Sequence, residues 1–522
     1  MTNGARTDIL ASYALAFGDK PALIEDRAER QIRWTFAQLD SMSNRLANVL
    51  AHLGVVPGDK VVWCGPNSAE IVTAMHAIRK VGATAVPLNY RLSPDEAAYV
   101  IDNCDAGLIY IDAEYAPLLS SIRDGLARLK HVVVFGGPAP AGCLDGDALV
   151  AKADSSAPPQ PAGEGGGPAT MIYTSGTTGH PKGALRRGGG DPTQVAALIA
   201  HVGYSSDDIY LTTGPLYHSG PGGFMTIAHA LGNTVVVQRK FEAEDWLRLI
   251  ASHRVTSTFS APATIRLACN LAPEVKARYD RSSMRVMIAN AAPWPMALKQ
   301  AYLADFPAES LWEVYGSTEL GVDAVLAPPD QLRKPGSCGL PAPGVELMLL
   351  DDDGAEIAAS GVPGELFVRS KSVFSTYYKA EEKYQAGRHG EFHSVGDIAY
   401  RDEEGYYYIC DRKSDMIISG GMNVYPAEIE AVIEAHPDVF EVAVFGIPSQ
   451  DWGEAVHAVV VAQPTKVVSE QEVTNFAREH LAGYKVPKSV SFMDELPRTG
   501  SGKTLKRLLR EPYWKDQERG VS

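Results

Sequence analysis

Met171-Ile172-Tyr173-Thr174-Ser175-Gly176-Thr177-Thr178-Gly179-His180-Pro181-Lys182-Gly183 is the stretch whose reading decides the rest. Met171, Ile172 and Tyr173 suit a buried strand, and the chain then enters a turn crowded with hydroxyls and free backbone N–H groups. Such a loop can wrap an anion, because glycines allow close backbone approach, successive N–H groups form a concave nest, and hydroxyls and an ammonium add donors. A plain surface turn would not need four hydroxyls and a lysine between Thr174 and Lys182. The stretch is not a Walker loop. His180 and Pro181 separate the last loop glycine from Lys182, and Gly183 stands where the magnesium-binding hydroxyl belongs.

Outward from this loop, strand and helix signals alternate. Thr35 with Gln38 forms a capping box, and Phe36, Leu39, Leu46, Leu50 and Leu53 follow a rhythm near 3.6 residues up to Gly54. A strand is expected at Lys60 to Cys64, then a helix capped by Asn67 with Glu70, then strands from Ala83, Leu108 and His131, with Ser93-Pro94-Asp95-Glu96 opening a further helix. Strands separated by helices imply parallel sheets whose ligands sit at the carboxyl ends of strands. The segment 155–167, rich in Pro, Gly and Ser, reads as a linker, and Arg186-Arg187-Gly188-Gly189-Gly190-Asp191 reads as a mobile turn.

Three further stretches carry polar or small residues where a core would want bulk: Pro215 to Gly220 with Tyr217 and His218, Asn290-Ala291-Ala292-Pro293, and Tyr315-Gly316-Ser317-Thr318-Glu319. The last two are expected just beyond strand ends. A lone histidine is more often structural, but His218 lies in a run that repeats this pattern. Small residues beside an aromatic ring make a flat slot for a purine, and Thr318 with Glu319 can bond a phosphate and hold Mg2+. Asp397, after the turn Phe392-His393-Ser394-Val395-Gly396, suits two ribose hydroxyls. Between about 344 and 400 short strands suggest a β-rich subdomain, and beyond the charged Asp411-Arg412-Lys413-Ser414-Asp415 the pattern becomes a separate α+β unit. Lys503, on a Gly-Ser-Gly turn, is poorly placed for packing and well placed to reach a phosphate.

The 522 residues are 45% apolar, enough for several cores, with a formal charge of -15 from 48 basic and 63 acidic residues. That balance argues against nucleic acid or an anionic membrane as the main partner. Six cysteines without paired spacing, and no signal peptide or apolar run of membrane length, lead to an expected cytoplasmic protein with free thiols. Oligomeric state is left open, a homo-oligomer included.

The Ser175-Gly176-Thr177-Thr178-Gly179-x-Pro181-Lys182-Gly183 string, Tyr217-His218, Asn290 to Pro293, Tyr315 to Glu319, Gly396-Asp397, Asp411-Arg412, Gly420-Gly421 and Lys503 stand in the order found in adenylate-forming enzymes. This family comprises acyl-CoA synthetases, beetle luciferases and peptide-synthetase adenylation domains, and the chain most resembles the bacterial fatty-acyl-CoA ligases. The resemblance implies an α/β fold: a large N-terminal domain (1–413) of two parallel-rich sheets with helices plus the β-rich subdomain, and a small mobile α+β C-terminal domain (414–522). It implies ATP, Mg2+ and CoA as cofactors, and an acyl-AMP formed from a hydrophobic carboxylic acid, a medium or long fatty acid or a bulky ring-bearing one. A carrier-protein thiol is the alternative acceptor.

By the same resemblance, Thr174, Ser175, Gly176, Thr177, Thr178, Gly179 and Lys182 hold the phosphates, while Asn290, Ala291, Ala292 and Tyr315 hold the adenine. Thr318 takes the α-phosphate, Glu319 the metal, and Asp397 with Arg412 the ribose. His218 and Lys503 complete the catalytic set. Ser414 is the hinge, although the family commonly has Asp or Lys there, and Gly420 with Gly421 borders the thiol channel. The acyl group lies where Tyr217, Gly222, Gly223, Phe224, Ser260, Ala261 and Ala263 converge. A P-loop kinase is opposed by the missing Walker spacing, and a dead binding protein by the intact Lys182, Glu319 and Lys503.

Lys503→Ala should slow adenylation by about a hundredfold or more, because deleting one preorganised donor to developing charge costs about 3 kcal/mol. Thioester formation from pre-made acyl-AMP should survive. Equal loss of both half-reactions in a folded variant removes Lys503 from that role.

Overall fold

In the computed structural model the described residues are 8–158, 169–174, 181–188, 191–292, 294–419, 422–498 and 504–515. Among them, strands assemble into sheets of nine, eight, six and five members. The eight-stranded sheet has a parallel centre in which Lys60–Cys64 lies between Thr84–Leu88 and Leu108–Asp112, and Ala169–Thr174 joins Thr84–Leu88. In the nine-stranded sheet Ile209–Thr212, Thr234–Val237, Ser257–Ser260, Val286–Ala289 and Leu311–Ser317 run parallel. Helices separate most of these strands, as alternation demands.

The helix starts follow the chemistry of the sequence. Thr35 with Gln38 and Ser93 with Glu96 form complete capping boxes for the helices Phe36–His52 and Pro94–Asn103, each satisfying two otherwise orphaned backbone donors. One cap differs from expectation: Ser68, not Asn67, caps Ala69–Lys80. Asn67 is buried instead, donating to the Gly214 and Gln238 carbonyls at 3.0 and 3.1 Å and accepting from the Leu216 N–H at 2.9 Å. An amide can satisfy donor and acceptor at once, so it serves as a tie between the two large sheets where a capping side chain would satisfy one group.

The principal core is shared by the two large sheets and reaches into the six-stranded one, with Leu23, Phe36, Trp63, Val134, Tyr210, Val314 and Val368 all buried in a single cluster. A second core covers the other face of the nine-stranded sheet around Trp246, Ile265 and Tyr302. The six-stranded sheet is antiparallel, with Gly364–Arg369 between Glu346–Leu350 and Asp397–Arg401, and Asp397–Arg401 paired to Tyr407–Arg412. From Ile417 onward the strands Ile417–Ser419, Met422–Val424, Val439–Ser449, Gly453–Ala462 and Ser489–Phe492 form the five-stranded sheet, with its own cores.

Two local arrangements depart from the expected strand-then-loop pattern. Lys182–Arg187 returns antiparallel beside Ala169–Thr174, pairing Lys182 with Thr174, so the two ends of the expected phosphate loop lie side by side. Tyr315 to Ser317 lie within the strand Leu311–Ser317 rather than beyond it, because Gly321–Leu326 folds back and continues the ladder. The register slips between Tyr315 and Gly316, leaving Asp323 as the extra residue of a bulge.

Gly316 is fixed by that hairpin, since a Cβ there would overlap the Gly321 carbonyl. Gly316→Ala must part the two strands and should cost about 1–3 kcal/mol, as overpacking does elsewhere. Guanidinium unfolding measures this. A variant as stable as wild type would show that the hairpin accommodates a methyl group.

Candidate active site

The strand ends and hairpins bring the expected residues of the nucleotide site together. Glu319, 8% exposed, follows the strand Leu311–Ser317, and its Oε1 accepts from Thr174 Oγ1 at 2.9 Å and from Tyr377 Oη at 3.0 Å. Neither hydroxyl bonds Oε2. Thr174 ends the loop strand and Tyr377 lies in Thr376–Tyr377, the antiparallel neighbour of Lys182–Arg187. Thr318 Oγ1 is 2.8 Å from Ser219 Oγ, at the start of the helix Ser219–Ala230. Burial, and then the like charge of Lys383, lower the Lys182 pKa, with Glu319 opposing.

A second cluster suits a nucleoside. Tyr315 donates its hydroxyl to Asp397 Oδ2, and Arg412 Nε lies 3.2 Å from Asp397 Oδ1. Arg412 is raised above its ordinary range chiefly by Asp397, and burial together with the same carboxylate pushes the Tyr315 phenol far up. Asn290, just beyond Val286–Ala289, donates to the Val314 carbonyl at 2.5 Å, fastening the turn against the Tyr315 strand. Ala291 then takes φ +76, a left-handed conformation that costs about 1–3 kcal/mol in a non-glycine residue and clusters at ligand sites.

The acyl-side residues form a third group. Tyr217 is buried, with its ring edge-on to Tyr90 at 5.5 Å and beside His218 at 4.4 Å. His218 immediately precedes Ser219–Ala230 and bonds the Pro215 carbonyl through its backbone N–H. Phe224 stacks on Phe259 at 5.2 Å, and a Cβ on Gly220 would run into the Phe259 ring. Gly222 is small for a local reason too, since a Cβ would meet the Leu216 carbonyl at 2.6 Å, whereas Gly223 faces open space. Ser260 Oγ is 2.7 Å from Thr264 Oγ1, and Ala261 and Ala263 lie at the start of Pro262–Cys269.

Ser414 sits in the turn between Tyr407–Arg412 and Ile417–Ser419. Ser175, Gly176, Thr177, Thr178, Gly179, Gly420, Gly421 and Lys503 lie outside the described residues.

The sequence reading missed Tyr377, Phe259, Asp323 and Arg186, and it gave Ser219 no role beyond its place in the Pro215 to Gly220 stretch. Tyr377 and Phe259 look like ordinary strand aromatics and Ser219 like a helix start, so only tertiary placement shows them. Asp323 carried a signal, an acid among apolar residues in Gly321–Leu326. It is fully buried, neither carboxylate oxygen has a hydrogen-bond partner, and burial with the nearby Asp397 raises it well above the usual carboxylate range. Arg186 is a correction: the expected mobile turn begins inside Lys182–Arg187, where the guanidinium bonds the Thr318 carbonyl at 2.8 Å, the Glu319 carbonyl at 3.4 Å and the Ser372 carbonyl.

Among the described residues no three His, Cys, Asp or Glu side chains group to hold a metal. One carboxylate with an oxygen turned from its hydroxyl partners is what Mg2+ needs, since Mg2+ keeps waters and takes its other ligands from phosphates. The donor set therefore fits the ion. No described helix is long and apolar enough to cross a membrane.

Tyr315→Phe removes the hydrogen bond to Asp397 while keeping the ring. A bond to a charged group contributes about 1.5–3 kcal/mol, so KM for ATP should rise about tenfold or more with kcat nearly unchanged. An unchanged KM would separate Tyr315 from nucleotide binding.

The comparisons with known proteins agree with this geometry. Residues 10–378 match the family described as AMP-binding enzyme, and residues 428–503 match the AMP-binding enzyme C-terminal domain. The indoleacetate–CoA ligase of Aromatoleum aromaticum is 35% identical over 480 residues, 91% of this chain and 92% of that protein. The long-chain-fatty-acid–CoA ligase FadD13 of Mycobacterium tuberculosis is 35% identical over 485 residues, 92% of this chain and 93% of that one. The crystal structure of the anthranilate CoA ligase AuaEII in complex with anthranoyl-AMP superposes with a TM-score of 0.86 at 29% identity, covering 97% of this chain and 96% of that one. With both family domains present in order and the fold shared along nearly its whole length, the chain belongs to the AMP-binding enzyme family, within it to the acyl-CoA synthetases, which use ATP, Mg2+ and CoA.

Proposed function

We propose that the enzyme joins a hydrophobic carboxylic acid to CoA, and that among such acids it takes a ring-bearing one. The observation that carries this reading is the Phe224–Phe259 stack set against Gly220, on the two elements that bear the expected acyl-site residues. None of Tyr217 to Phe224, Ser260 to Thr264 or Asn290 to Ala292 is acidic, so a substrate ammonium would find no counter-charge in these loops. Phe259 packs against Gly220 and stacks on Phe224, so aromatic rings close this end of the proposed site. An end closed by aromatic rings favours an arylalkanoic or cinnamic-type acid over a long straight chain. Several relatives act on ring-bearing acids by name, among them the feruloyl-CoA synthase of Amycolatopsis sp, 36% identical over 482 residues.

In the assigned mechanism the substrate carboxylate attacks the α-phosphorus of ATP, the bond to pyrophosphate breaks, and acyl-AMP forms. Lys182 and the 174–182 loop hold the phosphates, Thr318 and Lys503 face the charge accumulating at the α-phosphate, and Glu319 would hold Mg2+. The ion, when bound, neutralises phosphate charge. Asp397 and Arg412 take the ribose, and Tyr315 with Asn290 to Ala292 takes the adenine. These groups act as fixed electrostatic donors, so no protein nucleophile is needed. His218 borders the acyl carboxylate. The chain divides at 413/414, and rotation about Ser414 withdraws Lys503 and brings Gly420-Gly421 to the thiol path, where the CoA thiolate displaces AMP.

The test is CoA-thioester formation, read by mass spectrometry, across acetate, phenylacetate, cinnamate, decanoate and dodecanoate, with a phosphopantetheinylated carrier protein as competing acceptor. Phenylacetate or cinnamate should lead, and Phe259→Ala should raise kcat/KM for dodecanoate by about tenfold, the scale of added apolar room. Dodecanoate leading in the wild type, with no response to Phe259→Ala, overturns the pocket assignment. Acyl transfer to the carrier alone overturns CoA as acceptor.

A further inference from the structure

Arg186 lies where three sheets meet. It is carried on Lys182–Arg187 of the eight-stranded sheet, four residues after the assigned phosphate-binding Lys182. Its Nη2 donates to the Thr318 carbonyl at 2.8 Å and the Glu319 carbonyl at 3.4 Å, in the turn of the nine-stranded sheet. Its Nη1 donates to the Ser372 carbonyl, in the crossing between Gly364–Arg369 of the six-stranded sheet and Thr376–Tyr377. That crossing also donates the Phe374 N–H to the Glu319 carbonyl at 2.7 Å and delivers Tyr377 to Glu319 Oε1. One planar guanidinium therefore holds both peptides that carry Thr318 and Glu319 and the segment that carries a hydroxyl partner of the Glu319 carboxylate.

The energetic case is that of a buried cation. Burial lowers Arg186 from its ordinary value, and the opposing negative charges are Asp323 and Glu319. Neither carboxylate forms a hydrogen bond with the guanidinium, whose donors go to backbone carbonyls. A guanidinium whose fork is spent on carbonyls of separate chain segments fixes their spacing, and a lysine ammonium, a point charge without that planar fork, cannot reproduce it. A displacement of about 1 Å at an assigned metal-binding carboxylate is enough to matter.

We propose that Arg186 is a positioning residue for the magnesium–nucleotide site, setting the Glu319 carboxylate and Thr318 hydroxyl through their own backbone carbonyls. This rests on the assignment of Glu319 to Mg2+ and Thr318 to the α-phosphate. Arg186 acts through these carbonyls.

The experiment is Mn2+ binding, measured by the loss of free-ion electron paramagnetic resonance signal in the presence of α,β-methylene ATP, for wild type, Arg186→Met, Arg186→Lys and Glu319→Gln, with thermal unfolding of each. Arg186→Met should weaken Mn2+ by about tenfold or more and Arg186→Lys by about threefold, since groups that orient a metal ligand typically contribute on that scale. kcat for pyrophosphate release should fall in the same order. Partial rescue by lysine separates this from a folding effect, which would lower the unfolding temperature without changing affinity in the folded fraction. Wild-type Mn2+ affinity in a folded Arg186→Met, beside a weakened Glu319→Gln, overturns the proposal and keeps the metal assignment. Unchanged affinity in Glu319→Gln overturns the metal assignment itself, and with it the proposal. Where Arg186→Met does not fold, Arg186→Lys decides alone, and binding equal to wild type overturns the role.

Discussion

A carboxylate sealed from water must be held by donors, and Glu319 is the one on which the centre of this molecule is arranged. Taking a charge out of water costs several kcal/mol unless hydrogen bonds replace the lost hydration. Thr174 and Tyr377 supply two such bonds to Oε1, at 2.9 and 3.0 Å. They come from chain positions 145 and 58 residues away, so neither bond exists until the two large sheets have closed on each other. The same closure brings Asn67 to the 214–216 segment. Closing the core and joining Glu319 to Thr174 and Tyr377 are consequently one event.

The nucleoside side obeys the same rule with a different outcome. Asp397 is held between a phenol and a guanidinium, which fixes the position of its carboxylate. Asp323, in the returning strand, has no hydrogen-bond donor, and burial with the nearby Asp397 pushes it well above the usual carboxylate range. The bulge beside Tyr315 falls at Asp323, the extra residue of the returning strand.

How far the sequence made this legible depended on whether a residue's partner was local. Capping boxes at Thr35 and Ser93 involve residues three apart, and both form. Strands such as Lys60–Cys64 and His131–Phe135 match their apolar runs to the residue. Asn67 and Arg186 failed because their side chains answer to groups more than a hundred residues away, and nothing local competes with a cap or a turn reading. Tyr315 and Glu319 were found as a motif, but their place in a hairpin was hidden, since the returning strand Gly321–Leu326 begins with a glycine that reads equally well as loop. The full donor set of the 175–180 loop, and of Lys503, rests on sequence alone.

The proposed turn at Ser414 is also constrained by what must break. Lys506 pairs with Glu430 at 2.8 Å and Arg510 with Asp415 at 3.3 Å, and these four residues all follow the hinge and travel together. Across the hinge, Asp411 accepts from the Ala427 N–H at 3.1 Å and Arg266 donates to the Phe440 carbonyl at 2.9 Å. Each such bond contributes about 1 kcal/mol net, and water replaces it when the surfaces part. Two crossing bonds of that size add about 2 kcal/mol to the work of separation. Arg266 stands on Pro262–Cys269, the helix that begins at the assigned acyl loop, so the orientation of the C-terminal unit and the wall of the acyl site meet at one guanidinium.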